Sequence, residues 1–189
     1  MQRLGQPETR RHSTTRHYVA LVGEVGRPSL ASAGTVRRAV AGDGGLLAEL
    51  RWSWRTEEGD EIGTEKAEFS AAFCRWLADR AKTHAAFLAE WSRAAVGMAW
   101  LATVERVPGP GVWRRLAGNL QSVYVLPEYR NRGLGAALVL AALEEAVSLG
   151  FDYVYVHPST KAVPLYRRLG FEQSDGLLQV DFTSWSVPE

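Results

Sequence analysis

Residues 123–146 read VYVLPEYRNRGLGAALVLAALEEA. A short β-branched and aromatic run is followed by a turn at Pro127, two arginines, two glycines, and an alanine- and leucine-rich stretch. This order predicts strand, turn and helix. A helix start exposes about four N–H groups without partners and the positive end of the helix dipole. Gly133 and Gly135 leave that backbone bare, and Arg130 and Arg132 bring guanidinium forks suited to phosphate oxygens. The junction reads as a diphosphate cradle. The R-x-x-G-x-G pattern taken alone describes a glycine-rich turn with two solvated arginines equally well. It lacks the Lys-Ser/Thr of a P-loop and the G-x-G-x-x-G spacing, which disfavours nucleoside triphosphates and dinucleotides.

Outward from this junction, 35–40 (TVRRAV) predicts a first strand, and AGDGG a turn in which Asp43 caps the next helix. Apolar residues at 46, 47, 50 and 54 give helical spacing, as do Phe69, Phe73, Trp76, Leu77 and Ala81 within 67–82. Strands are expected at 84–90 and 94–104, joined by a hairpin-sized WSR. PGPGVWRRLAGN (108–119) is expected to be a loop, 121–126 a strand and 133–149 a helix stopped by Gly150. FDYVYVH (151–157) is apolar at nearly every position and predicts a central strand. A short helix over 159–169 and closing strands at 171–173 and 177–182 complete an α/β order, β-α-α-β-β-β-α-β-α-β-β.

The chain has 189 residues, 46% of them hydrophobic, enough for one domain with a sizeable core. No apolar run approaches the ~20 residues that cross a bilayer. A net charge of +1 calls for neither nucleic acid nor an anionic membrane. Cys74 is the single cysteine, so the chain has no intrachain disulfide or thiolate metal cluster, and no metal site is expected. The apolar neighbours of Cys74 predict a buried structural thiol, and the scarcity of cysteine suits a reducing cytoplasm. Residues 1–33 hold five arginines against two glutamates. They are expected to be a disordered N-terminal extension, with the folded domain over 34–189.

VYVLPEYRNRGLGAAL closely resembles the acetyl-CoA motif of the GCN5-related N-acetyltransferase superfamily, a strand ending in V-x-P-x-x-R/Q-x-x-G-x-G/A before a helix. KAVPLYRRLGF (161–171) resembles its second signature, A-x-x-L-Y-x-x-L-G-F, at the expected separation. The resemblance covers roughly residues 35–182, with its sharp motifs in 121–171. It implies a central, mixed, mostly antiparallel sheet splayed between its fourth and fifth strands and flanked by about four helices.

The resemblance further implies that the CoA diphosphate lies on the loop Arg130, Asn131, Arg132, Gly133, Leu134, Gly135 and Ala136. The strand Val123, Tyr124 and Val125 would offer backbone groups to the pantetheine arm. A bulge there would open the cofactor cleft. An N–H near Val125 would polarise the thioester carbonyl. Tyr166 matches the family's general acid for the departing thiolate. Ser159 stands where relatives often have a CoA-contacting asparagine, and Pro164 implies a late helix start. For the base that frees the acceptor amine, Glu105 is the leading candidate, with Glu90 and His157 behind it.

The acceptor would be gripped by Trp52 or Trp54, by EEGDEIGTE (57–65) and by the loop 108–119. Glu57, Glu58, Asp60, Glu61 and Glu65 favour a cationic amine, whereas Arg114 and Arg115 favour an acceptor with a carboxylate. The expected activity is direct acetyl transfer from acetyl-CoA to a primary amine of a small molecule or peptide, in a ternary complex. The resemblance also allows a homodimer. The alternative is a non-catalytic acyl-CoA-binding regulatory module of the same fold.

Overall fold

The computed structural model describes residues 34–174 and Gly176. Five strands and four helices follow in the order β1 (Gly34–Arg38), α1 (Gly44–Glu58), α2 (Lys66–Arg80), β2 (His84–Trp91), β3 (Ala94–Glu105), β4 (Leu116–Val125), α3 (Leu134–Ser148), β5 (Tyr153–Val156) and α4 (Val163–Arg168). The strands form one sheet in sequence order. Neighbours are antiparallel except β4 and β5, which are parallel. The expected extension 1–33 and closing strand 177–182 lie outside the described residues.

Strand alternation sends successive side chains to opposite faces. Phe87 and Ala89 of β2 and Leu101 of β3 pack with Leu134, Leu138, Val139 and Ala142 of α3. Ala86 and Leu88 of β2 and Met98 and Trp100 of β3 pack with Leu47 and Leu50 of α1. Both faces are covered, which is why AAFLA and VGMAWLA are apolar throughout. β3 is the middle strand of the five, between β2 and β4.

Four expectations are corrected here. The first concerns Asp43, which precedes α1 without capping it through its side chain. Its carboxylate turns back to accept the Val40 N–H at 2.7 Å and two guanidinium bonds from Arg37 at 2.7 and 2.9 Å. The second is Cys74, which is exposed. Helix α2 buries none of its residues and meets the body through rings such as Phe73 and Trp76 against Trp100. Third, residues 116–119 belong to β4, paired with 102–105. Gly118 is there for packing: a Cβ would stand 2.8 Å from Leu101 Cδ1 and 3.0 Å from Phe151 and Val154 side chains. Lastly, 171–173 form no strand, and among the described residues β5 pairs only with β4.

One irregularity shapes the molecule. Met98 pairs with Tyr124, but Trp100 pairs with Gln121, so β4 carries an extra residue at this point. Ser122 absorbs it with φ +50°, the signature of a bulge. Gly97 lets the bulged strand close in, since a Cβ there would lie 2.8 Å from the Tyr124 carbonyl oxygen. β5 follows β4 only from Ala117–Tyr153 to Leu120–Val156. Past Leu120 the two strands part company.

Candidate active site

The parting of β4 and β5 opens a cleft of ≈ 1480 Å³. Four elements wall it: β4 from Asn119 to Val125, the loop and first turn of α3, the segment from Val156 into α4, and the end of α1. Val123, Tyr124, Val125, Arg130, Asn131, Gly133, Leu134, Gly135, Ala136, Ser159 and Tyr166 all line it. Two residues expected at the site do not. Glu105 ends β3 opposite Leu116, at the far end of β4. Arg132 lays its guanidinium 4.8 Å from the Trp91 ring centroid and donates to the Glu128 carbonyl at 3.1 Å.

The start of α3 has the form of an anion site. Asn131 and Gly133 take left-handed conformations, φ +60° and +81°, and fold the chain sharply into the helix. No side chain caps α3. Gly135 faces the cleft, where a Cβ would meet only Leu165 Cδ2, at 3.7 Å. Uncapped amides, a dipole end and an open glycine fit a diphosphate.

Tyr166 is placed by α4, which starts at Val163 with Pro164 in its first turn. The missing N–H of Pro164 is harmless there. The ring is 5% exposed. Among the described residues, the hydroxyl has no hydrogen-bond partner. Burial pushes its pKa up to about 12. It is a protonated donor at neutral pH.

The opposite wall was only partly anticipated. α1 runs through Glu58, so Glu57 and Glu58 lie on its last turn and not in a loop. Glu57 accepts the Tyr124 hydroxyl at 2.9 Å and Arg130 Nη2 at 2.7 Å. The Arg130 guanidinium holds the Glu57 carboxyl below the usual range, and the Tyr124 hydroxyl adds to this against the opposing pull of burial. Burial, then the bond to Glu57, raises Tyr124 to about 12. Trp54 stacks on Tyr124 with centroids 6.0 Å apart. Arg51 lies 4.6 Å over Trp54 and donates to Ser122 Oγ at 3.2 Å. Arg51, Trp54 and Glu57 are three residues apart and share a helix face, the one sequence signal for this wall.

Most of the other acceptor and base candidates fall elsewhere. Asp60 pairs with Arg55, and Glu90 accepts Arg37 Nε at 2.8 Å. Of residues 108–119 only Asn119 lines the cleft. Arg114 donates to the Leu149 carbonyl and Arg115 to that of Val107. His157 does line it.

A family model described as "Acetyltransferase (GNAT) family" matches residues 47–171. A glucosamine 6-phosphate N-acetyltransferase of Trypanosoma brucei brucei is 36% identical over 67 residues, 35% of this chain and 46% of that protein. A mycothiol acetyltransferase of Thermobispora bispora is 41% identical over 91 residues, 45% of this chain and 29% of that protein. The chain thus spans less than half the length of these curated relatives. A crystal structure described as a predicted acetyltransferase with acetyl-CoA, from Clostridium acetobutylicum, superposes with a TM-score of 0.66 at 19% identity, covering 79% of this chain and 97% of that one. At that identity the likeness is one of fold.

Proposed function

The chain belongs to the acetyltransferase (GNAT) family, and from that premise we propose that it is an acetyl-CoA-dependent N-acetyltransferase acting by direct transfer to a primary amine in a ternary complex. One observation carries the reading: the uncapped start of α3 and the buried Tyr166 open into the same cleft. Bound acetyl-CoA supplies the activated acyl group. Gly133 to Ala136 hold its diphosphate on backbone amides, and the parted edge of β4 receives its arm. Tyr166 donates the proton that a departing thiolate needs. Cys74, on α2, is no part of the cleft lining, in keeping with transfer that forms no acyl-enzyme.

The acceptor enters beside α1. Glu57, Glu58 and Trp54 favour a cationic amine there, by charge and by a ring face worth about 0.5–2 kcal/mol. The relatives named for glucosamine 6-phosphate and mycothiol support a small-molecule acceptor. Release of free CoA thiol over a panel of amines tests the reading. Turnover with at least one cationic amine is expected. Tight acetyl-CoA binding with no turnover on any amine would favour the regulatory module.

A further inference from the structure

Arg130 serves both walls of the cleft at once. Its Nε donates to the Val125 carbonyl at 2.9 Å and its Nη2 to Glu57 Oε2 at 2.7 Å. Its guanidinium also lies 5.6 Å from the Tyr124 ring centroid. Both charged side chains reach water, with Arg130 42% and Glu57 36% exposed. An ion pair this open is worth little, about 0.2–1 kcal/mol, and exchanges partners readily. Arg130 is also the cradle arginine that lines the cleft, since Arg132 is laid on Trp91.

A diphosphate at the start of α3 competes for this guanidinium with more charge than one carboxylate carries. Moving Arg130 would also release the Val125 carbonyl on the strand edge. Glu57 would keep the Tyr124 hydroxyl and lose its countercharge. Resting on the acetyl-CoA reading above, we propose that Glu57 is the carboxylate that receives the acceptor's ammonium, and that Arg130 yields it only when the diphosphate is bound. The cationic acceptor and the cofactor therefore bind cooperatively through one shared arginine. Glu58 and Asp60 share Arg55 as their partner, so neither draws on Arg130, and Glu57 is the charge that changes hands.

Calorimetric titration of the full chain tests this without turnover. Coenzyme A should bind Glu57→Gln about two- to fivefold more tightly than the parent, because its competitor for Arg130 is gone. In an Arg130→Gln background the same substitution should change nothing. Spermidine should bind more tightly in the presence of coenzyme A, and reciprocity requires the same factor on coenzyme A affinity. Arg130→Gln should abolish that gain. Coenzyme A affinity unchanged or lowered by Glu57→Gln would overturn the proposal, as would spermidine affinity indifferent to coenzyme A. Failure of the parent to bind coenzyme A would remove the acetyl-CoA reading itself, a different result.

Discussion

Tyr166 meets Phe171 edge-on, with ring centroids 5.3 Å apart and planes inclined at 75°. The contact fixes the ring by its apolar edges and leaves the hydroxyl to the cleft. Tyr166→Phe should therefore keep the packing and remove only the proton donor. We expect kcat to fall by ~10²-fold or more, the scale of general acid catalysis. Coenzyme A affinity should stay within about twofold, since the phenol holds no group of the diphosphate cradle. Steady-state kinetics beside calorimetry separates the two effects, and unaltered turnover would reduce Tyr166 to a core residue.

The pH dependence follows from burial. Tyr166 and Tyr124 are both raised to about 12, against an ordinary value of ~10. Each phenol thus stays protonated where the unfolded chain would ionise. Their contribution to stability is complete below about pH 10 and is lost as pH climbs through about 12. Turnover should rise with deprotonation of the acceptor amine and show no decline between about pH 8 and 10. A descending limb with an apparent pKa near 9 would assign the proton donor elsewhere.

Gly135 offers a graded probe of the cradle. Gly135→Ala should be tolerated, because the new Cβ has only Leu165 within reach, at 3.7 Å. Gly135→Glu sends a carboxylate to the place proposed for phosphate. The melting-temperature rise induced by acetyl-CoA should persist in the first variant and vanish in the second. An equal rise in both would remove the cradle from the start of α3.

Asp43 is buried, and its carboxyl is held low chiefly by the hydrogen bond from Arg37. Asp43→Asn keeps the shape and removes the charge. A loss of about 1.5–3 kcal/mol in urea unfolding is expected, the range for hydrogen bonds to charged groups. The sign with pH is fixed: this contribution is full above the ordinary carboxylate pKa of ~4 and disappears as pH falls through the lowered native value. The parent should lose stability in acid more steeply than the variant.

Glu105 ends β3 opposite Leu116, away from the cleft. Glu105→Gln should leave kcat and KM within about twofold of the parent. A large loss would mean that the acceptor approaches from the other end of β4.

The strand, glycine turn and helix around residue 133 were legible because all their determinants are local, and the late start of α4 was equally legible from Pro164. Other features depended on partners remote in sequence. Gly118 reads as a loop residue until Leu101, Phe151 and Val154 close on it. Arg132 reads as a phosphate ligand until Trp91 supplies a ring to lie on. The bonds of Glu57 to Tyr124 and Arg130 bridge 67 and 73 positions, beyond any periodicity. Asp43 is a different case: its carboxylate turns back to Arg37, only six positions away, so two local options competed at this helix start and the ion pair won.

The bulge at Ser122 has a consequence for how the molecule meets its neighbours. Unpaired strand backbone normally lies at a sheet's rim, where a second chain can add to it and seed aggregation. Here β4 is flanked by β3 on one side over its whole length and released by β5 on the other beyond Leu120. The free hydrogen-bonding groups thus sit on an inner strand, recessed between the start of α3 and α4. A slender extended arm can thread that gap, whereas a strand arriving with its own sheet is shut out.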